Sequence, residues 1–188
     1  MDQRNEPSLS LSGFHEGLAA FAEPRLPAPA ELISRLVVSE RLIDSTLREL
    51  ESRSAGRRES AAVWCGRVDG NEWRATDVRF HHRVCNDLAG ALRITLTEEA
   101  KFRLYEEMNS LGLTLIAAVH THPDDWVGLS HVDQRNQLSS KDGFWSLVLP
   151  RYGRRPLGPS EMGVHIRLHG AWWRLTETQV SKHFRIEV

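Results

Sequence analysis

No stretch of the 188-residue sequence stays apolar for anything near the roughly 20 residues that a membrane-spanning helix needs, so none is expected. Cysteine is scarce as well. Cys65 and Cys85 are the two present, too few for a disulfide framework in a chain of this length, and reduced, buried thiols are expected. Excess charge is missing: the formal net charge is −1, which gives no bulk attraction to nucleic acid or to an anionic membrane, and neither is expected as a partner. The first residues, MDQRNEPSLSLSGFHEGLAAF, carry early acids and no continuous apolar stretch. They do not read as a secretory leader, which makes a cytoplasmic location the expectation. Internal repeats and low-complexity tracts are absent too. What remains is an ordinary globular composition, 40% hydrophobic and 26% charged, long enough for one domain with its own core.

Residues 1–31 are turn-rich, with Pro7, Pro24, Pro27 and Pro29, and read as an N-terminal arm or linker. Within them, residues 14–22 could form a short helical piece. The domain is expected over residues 32–188. Leu36 to Val38 read as a strand, and Ser39 caps a helix whose apolar face is Leu42, Ile43, Thr46, Leu47 and Leu50, with Gly56 as its stop. Ala61 to Cys65 form an apolar run, Asp69-Gly70-Asn71 is a hairpin signal, and Trp73 to Phe80 return. Thr97-Glu98-Glu99 starts a helix running to about Ser110. Leu113 to Val119 is a nearly unbroken apolar run, as in a strand buried on both faces. A helix is expected over residues 130–138, strands over 144–149, 164–168 and 172–175, and a last short helix over 176–183. Strands interleaved with helices argue for an α/β or α+β fold built on one sheet.

The buried run delivers the chain into His120-Thr121-His122-Pro123. Two histidines two apart on a strand share a face and can reach a common point. Asp133 follows in the first turn of the helix that Ser130 caps. Two imidazoles and a carboxylate make a zinc set with one position left open for water. A lone His-x-His is a weak signal, since paired strand histidines are usually inert. The longer string His-x-His-Pro, six residues, Ser-x-x-Asp specifies five positions, and its chance occurrence in such a composition is on the order of one in ten thousand.

HTHPDDWVGLSHVD, residues 120–133, resembles the JAMM motif of the JAB/MPN zinc metallopeptidases. That family carries an upstream Glu in a pattern like Glu-x-x-Gly-x-apolar-x-Gly. Glu59-Ser-Ala-Ala62-Val-Trp64-Cys-Gly66 matches it except that Ala62 stands in place of the first Gly. The resemblance spans roughly residues 32–188. It implies a JAB/MPN-like mixed β-sheet sandwiched by helices, an architecture like that of cytidine deaminases, with one Zn2+ per chain held by His120, His122 and Asp133.

By the same resemblance Glu59 is the general base acting on zinc-bound water, and Ser130 donates its hydroxyl to the oxyanion. Two rivals stay open at this point: Ser130 as a helix cap alone, and Glu72 or Glu51 as the base. The sequence is similar to compact bacterial members, which implies a peptidase or isopeptidase acting at the C-terminal tail of a ubiquitin-like protein or its conjugates. Activating- and conjugating-enzyme-like proteins would be companions, in an antiphage or metabolic pathway. A peptidase of sulfur-carrier metabolism, a cell-wall peptide hydrolase and a non-catalytic MPN scaffold are the alternatives. The substrate tail is expected to pair as an added strand beside the site.

Overall fold

The apolar runs of the sequence become neighbours in a single sheet. The computed structural model describes residues 28–80, 96–154 and 159–188. Its strands are β1 (Arg35–Ser39), β2 (Ala61–Asp69), β3 (Glu72–Phe80), β4 (Thr114–Thr121), β5 (Trp145–Leu149), β6 (Gly163–Leu168), β7 (Ala171–Arg174) and β8 (Phe184–Glu187). Their order across the sheet is β7-β6-β5-β4-β2-β3-β1-β8. β1 runs parallel to β3 and β8, β4 runs parallel to β5, and the other pairs are antiparallel. The fold is mixed α+β, as expected.

Four α-helices occur among the described residues: α1 (Glu40–Ser54), α2 (Glu98–Ser110), α3 (His131–Arg135) and α4 (Glu177–His183). Each starts at a hydroxyl residue whose oxygen accepts a first-turn N–H: Ser39 from Leu42, Thr97 from Ala100, Ser130 from Asp133 and Thr176 from Gln179. α1 places its apolar stripe against one face of the sheet. There the Trp64 indole N–H donates to Thr46 Oγ1 at 2.9 Å, and Thr46 passes its own proton to the Leu42 carbonyl at 2.7 Å. Trp145, Ala117, Val119 and Leu147 lie on the same face and are all but fully buried.

Three expectations need correcting. The helix after Ser130 ends at Asn136 instead of running to residue 138. Asn136 and Gln137 lead into two serines, which favour turns over helix, and the Leu138 carbonyl is taken by the Tyr105 hydroxyl at 2.6 Å. β8, which continues directly from α4, is not among the expected strands, although Phe184, Arg185, Ile186 and Glu187 alternate apolar and polar. Finally, β2 and β4 are interior strands. At the His120 end β4 is paired with both β2 and β5, so among the described residues β4 offers no free edge there for a peptide to join as an added strand.

The proposed arm lies mostly outside the described residues, as do residues 14–22. Its last part is described: Ala28 is buried, its carbonyl accepts a hydrogen bond from Gln179 Nε2 at 2.7 Å, and Ala30–Leu32 forms a turn of 3-10 helix.

Gly66 stands at a register shift between β2 and β3. A Cβ there would lie 1.9 Å from the Arg74 carbonyl oxygen, so only glycine permits the approach. Gly163 makes a second such approach, since a Cβ would fall 1.8 Å from the Val127 carbonyl oxygen.

Candidate metal centre

β4 carries His120 near its end, and His122 follows just beyond it. Alternation along the chain puts both rings on the face opposite Trp64 and α1. Their Nε2 atoms lie 3.2 Å apart. The loop after Pro123 returns Asp133 to them. Asp133 Oδ2 is 3.7 Å from His120 Nε2 and 3.5 Å from His122 Nε2, and one ligand atom from each of the three residues falls within a 4.8 Å cluster.

The loop is held by main-chain bonds. His122 N–H donates to the Leu149 carbonyl at 2.8 Å, Arg151 N–H to that of Asp124 at 2.8 Å, and Tyr152 N–H to that of His122 at 2.6 Å. Arg151, Tyr152 and Gly153 all have left-handed φ, at 52°, 59° and 74°. The Arg151 guanidinium also bridges Asp125 at 2.8 Å and Glu161 at 2.6 Å. The stretch beginning at Arg151 reads in sequence as a solvated basic loop. In the structure its first residues brace the metal-site loop.

The donor set fits a metal. His122 Nδ1 lies 3.0 Å from the Trp126 carbonyl. A carbonyl accepts only, so the proton sits on Nδ1 and the Nε2 lone pair is left to bind a cation. The Trp126 ring stacks on the imidazole with centroids 5.1 Å apart and planes 15° from parallel.

Without a metal the three residues polarise one another. Burial alone would raise the Asp133 carboxyl. The charge and hydrogen bond of His120, with hydrogen bonds from His122 and Ser130, outweigh it and hold the group well below the usual carboxylate range. Burial alone would lower the His122 pKa, but hydrogen bonding and charge from Asp133, charge from Glu59 and the Trp126 carbonyl raise it overall.

Glu59 sits just ahead of β2, where Ala61 pairs with His120. It lines the same cleft as His120 and Asp133. That cleft encloses about 820 Å³ of empty space out to its open mouth. Small residues, Ala61, Ala118 and Ser146, line it along with Leu104, Phe144 and Trp172. Neither rival base lines it. Glu72 pairs with Asp69 at the opposite end of β2, about 26 Å away at the usual strand rise. Glu51 belongs to α1 on the other face.

Ser130 is the cap of α3 in a reciprocal box. Its Oγ accepts the Asp133 N–H at 3.2 Å, and Asp133 Oδ2 accepts the Ser130 N–H at 2.7 Å. The first bond uses a lone pair on Oγ and leaves the hydroxyl proton for another acceptor. The box also orients the carboxylate toward the histidines.

Sequence reasoning missed the Trp126 carbonyl, the Arg151 brace and a set of buried hydroxyls behind the site. The hydroxyls carried one readable signal: Ser54, Ser60 and Thr121 are polar residues beside apolar runs. Cys65 is free and buried, and burial pushes its thiol up to about 12, so it takes no part as a nucleophile. Cys85 and the His81-His82 pair lie outside the described residues.

No protein-family model matches the sequence. Among solved structures, the protein DSY2949 of Desulfitobacterium hafniense aligns with a TM-score of 0.56 at 12% identity, covering 81% of this chain and 92% of that one. It shares the fold. A JAB1/MPN domain protein, AF2198 of Archaeoglobus fulgidus, aligns with a TM-score of 0.47 at 14% identity, over 82% of this chain and 99% of that one, an overlap that fixes no fold by itself.

Proposed function

We propose that this chain is a zinc-dependent peptidase or isopeptidase of the JAB/JAMM kind, acting at the C-terminal tail of a ubiquitin-like protein. The observation that carries the proposal is the convergence of His120, His122 and Asp133 within 4.8 Å, with Glu59 lining the same open cleft. A scaffold without chemistry would have no use for that set. Bound zinc would supply a Lewis acid and lower the pKa of a water held in its open position. The protein's own groups do the rest. Glu59 accepts a proton from the attacking water and returns it to the leaving amine. The Ser130 hydroxyl donates to the oxygen on which negative charge develops. Asp133, oriented by the α3 cap, keeps its charge for the metal.

The cleft also bears on the substrate. With β4 paired on both sides among the described residues, an extended tail lies along the cleft instead of pairing with β4. Alanines and a serine where it meets the site leave room for a main chain to approach closely, which suits small residues before the scissile bond. The folded body of a ubiquitin-like protein would add binding contacts away from the reacting bond.

The test is to load the protein with zinc and offer three substrates: a ubiquitin-like protein fused at its C-terminus to a reporter, the isolated tail peptide, and cell-wall peptides. The fusion should be cut at the junction far faster than the peptide. Equal rates on the two would remove the ubiquitin-like protein from the proposal, and preference for cell-wall peptides would replace it.

A further inference from the structure

On the face of the sheet turned away from the metal ligands, three hydroxyls meet in an otherwise apolar interior. Ser54 closes α1, Ser60 follows Glu59, and Thr121 stands between the two histidines. Their exposures are 0%, 6% and 0%. Hydroxyls placed there are costly unless each finds a partner, and the partners reveal an order. Ser60 Oγ donates to the Leu50 carbonyl at 2.9 Å. Its lone pairs are thus left for the Ser54 hydroxyl at 2.8 Å. Ser60 N–H donates to Thr121 Oγ1 at 2.9 Å, and Thr121 N–H returns a bond to the Ser60 carbonyl at 3.0 Å. Ser54 Oγ and Ser60 Oγ both lie 3.4 Å from Thr121 Oγ1.

The β2–β4 ladder ends at the Ala61–His120 pair. One residue further out, the Thr121 side chain does what a facing carbonyl would do and takes the Ser60 N–H. Without it that buried donor would lose its partner, and the peptide unit joining Glu59 to Ser60 would lose the bond that fixes its N–H. Glu59 is the next residue along and lies on the metal side. The link therefore runs through the sheet, from the residue between the metal ligands to the residue bearing the base.

We propose that Thr121, backed by Ser60 and Ser54, is a positioning residue that holds Glu59 in place against the His120–His122–Asp133 group. This rests on the hydrolase reading above. A hydroxyl kept only to satisfy the core would affect stability. One kept to place the base must affect turnover, and only while the base is present.

The experiment uses the full chain loaded with zinc, with the ubiquitin-like fusion to a reporter as substrate, well below the melting temperature. Thr121→Val keeps the shape and removes the hydroxyl. It should hold zinc as the parent does and lower kcat about 10- to 100-fold, as misplacement of a reacting group does, with KM within about threefold. Thr121→Ser should restore kcat to within about threefold. In a Glu59→Gln background Thr121→Val should cause no further loss, since the group it places is gone. A readout without turnover is the visible spectrum of the cobalt-loaded protein followed against pH. Glu59→Gln should move its midpoint, Thr121→Val should move it in the same direction, and Thr121→Ser should not. Parent-like kcat in Thr121→Val, a Ser variant as slow as the Val one, or an equal loss in the Glu59→Gln background would overturn the proposal. So would loss of zinc from Thr121→Val. A parent protein that takes up no metal, or a Glu59→Gln variant at full speed, would instead overturn the hydrolase reading, and this inference with it.

Discussion

The two faces of the sheet at the end of β4 are built from opposite materials. On one, His120, His122, Asp133 and Glu59 gather charge beside an open cleft. On the other, neutral hydroxyls and an indole bond to one another and to the main chain inside an apolar layer that α1 covers. Residues 120, 121 and 122 alternate between the two. The imidazole nitrogens and carboxylate oxygens offer lone pairs to a cation, whereas the hydroxyls spend theirs on one another and on the main chain. The comparison teaches that binding capacity and rigidity are assigned to different faces of the same strands.

The largest break in the comparison should come from His122→Ala. We expect zinc to fall from about one per chain to near none by elemental analysis, because a two-ligand site binds weakly. Far-ultraviolet circular dichroism should stay unchanged. Zinc content equal to the parent's would end the metal assignment.

Glu59→Gln comes next. It should slow turnover about 10²- to 10⁴-fold, the usual contribution of a positioned general base, with zinc retained. Single-turnover kinetics on the fusion substrate would measure it.

A third effect distinguishes the faces by pH. His122 has a raised pKa in the metal-free protein. Its attraction to Asp133 is therefore fully present below the ordinary histidine pKa and is lost as pH rises through the raised value. Asp133 is depressed, so its part is present above the ordinary carboxylate range and is lost only in strong acid as pH falls through the depressed value. The melting temperature in chelator should thus fall as pH climbs past the His122 pKa. Zinc should reverse the trend, because protons compete with it: its affinity should drop about tenfold for each pH unit downward and each proton displaced. Parallel melting curves with and without zinc across pH 5–8 would contradict this.

The smallest effect on function should come from the closed face. Thr46→Val leaves the buried Trp64 N–H without an acceptor and should cost about 1–3 kcal/mol of stability. Zinc content and turnover should not change. Denaturant unfolding beside an activity assay would show whether the two faces are as separate as their bonding suggests.

Much of this was legible in the sequence, and the reasons are local. Ser39, Thr97, Ser130 and Thr176 announce helix starts because a hydroxyl at the cap bonds within three residues. Leu115 to Val119 announce a central strand because burial on both faces leaves no polar positions. The grouping of His120, His122 and Asp133 was legible because its spacing is itself sequence. Less legible was whatever depends on remote partners. A five-residue helix is too short for periodicity to mark its end. Phe184 to Glu187 alternate apolar and polar over only four residues, too short a run to mark a strand until β1 supplies a pairing edge. Arg151 looks like one more solvated cation until Asp125 and Glu161 meet it. The threonine of His-Thr-His reads as a spacer, since nothing in the string points to Ser60, 61 positions away.

The contact between Gly163 and the Val127 carbonyl has a consequence for how this site can vary. Together with the main-chain bonds from His122, Arg151 and Tyr152, it seats the loop between the ligands by backbone on backbone. Asp124, Asp125 and Trp126 project from that seat with exposed side chains. Side chains add to the seat, since Asp125 meets Arg151 and the Trp126 ring lies on His122, but the main chain carries it. A change of side chain at one of these three positions would therefore leave the backbone mount of the loop, and with it the place of Asp133, standing.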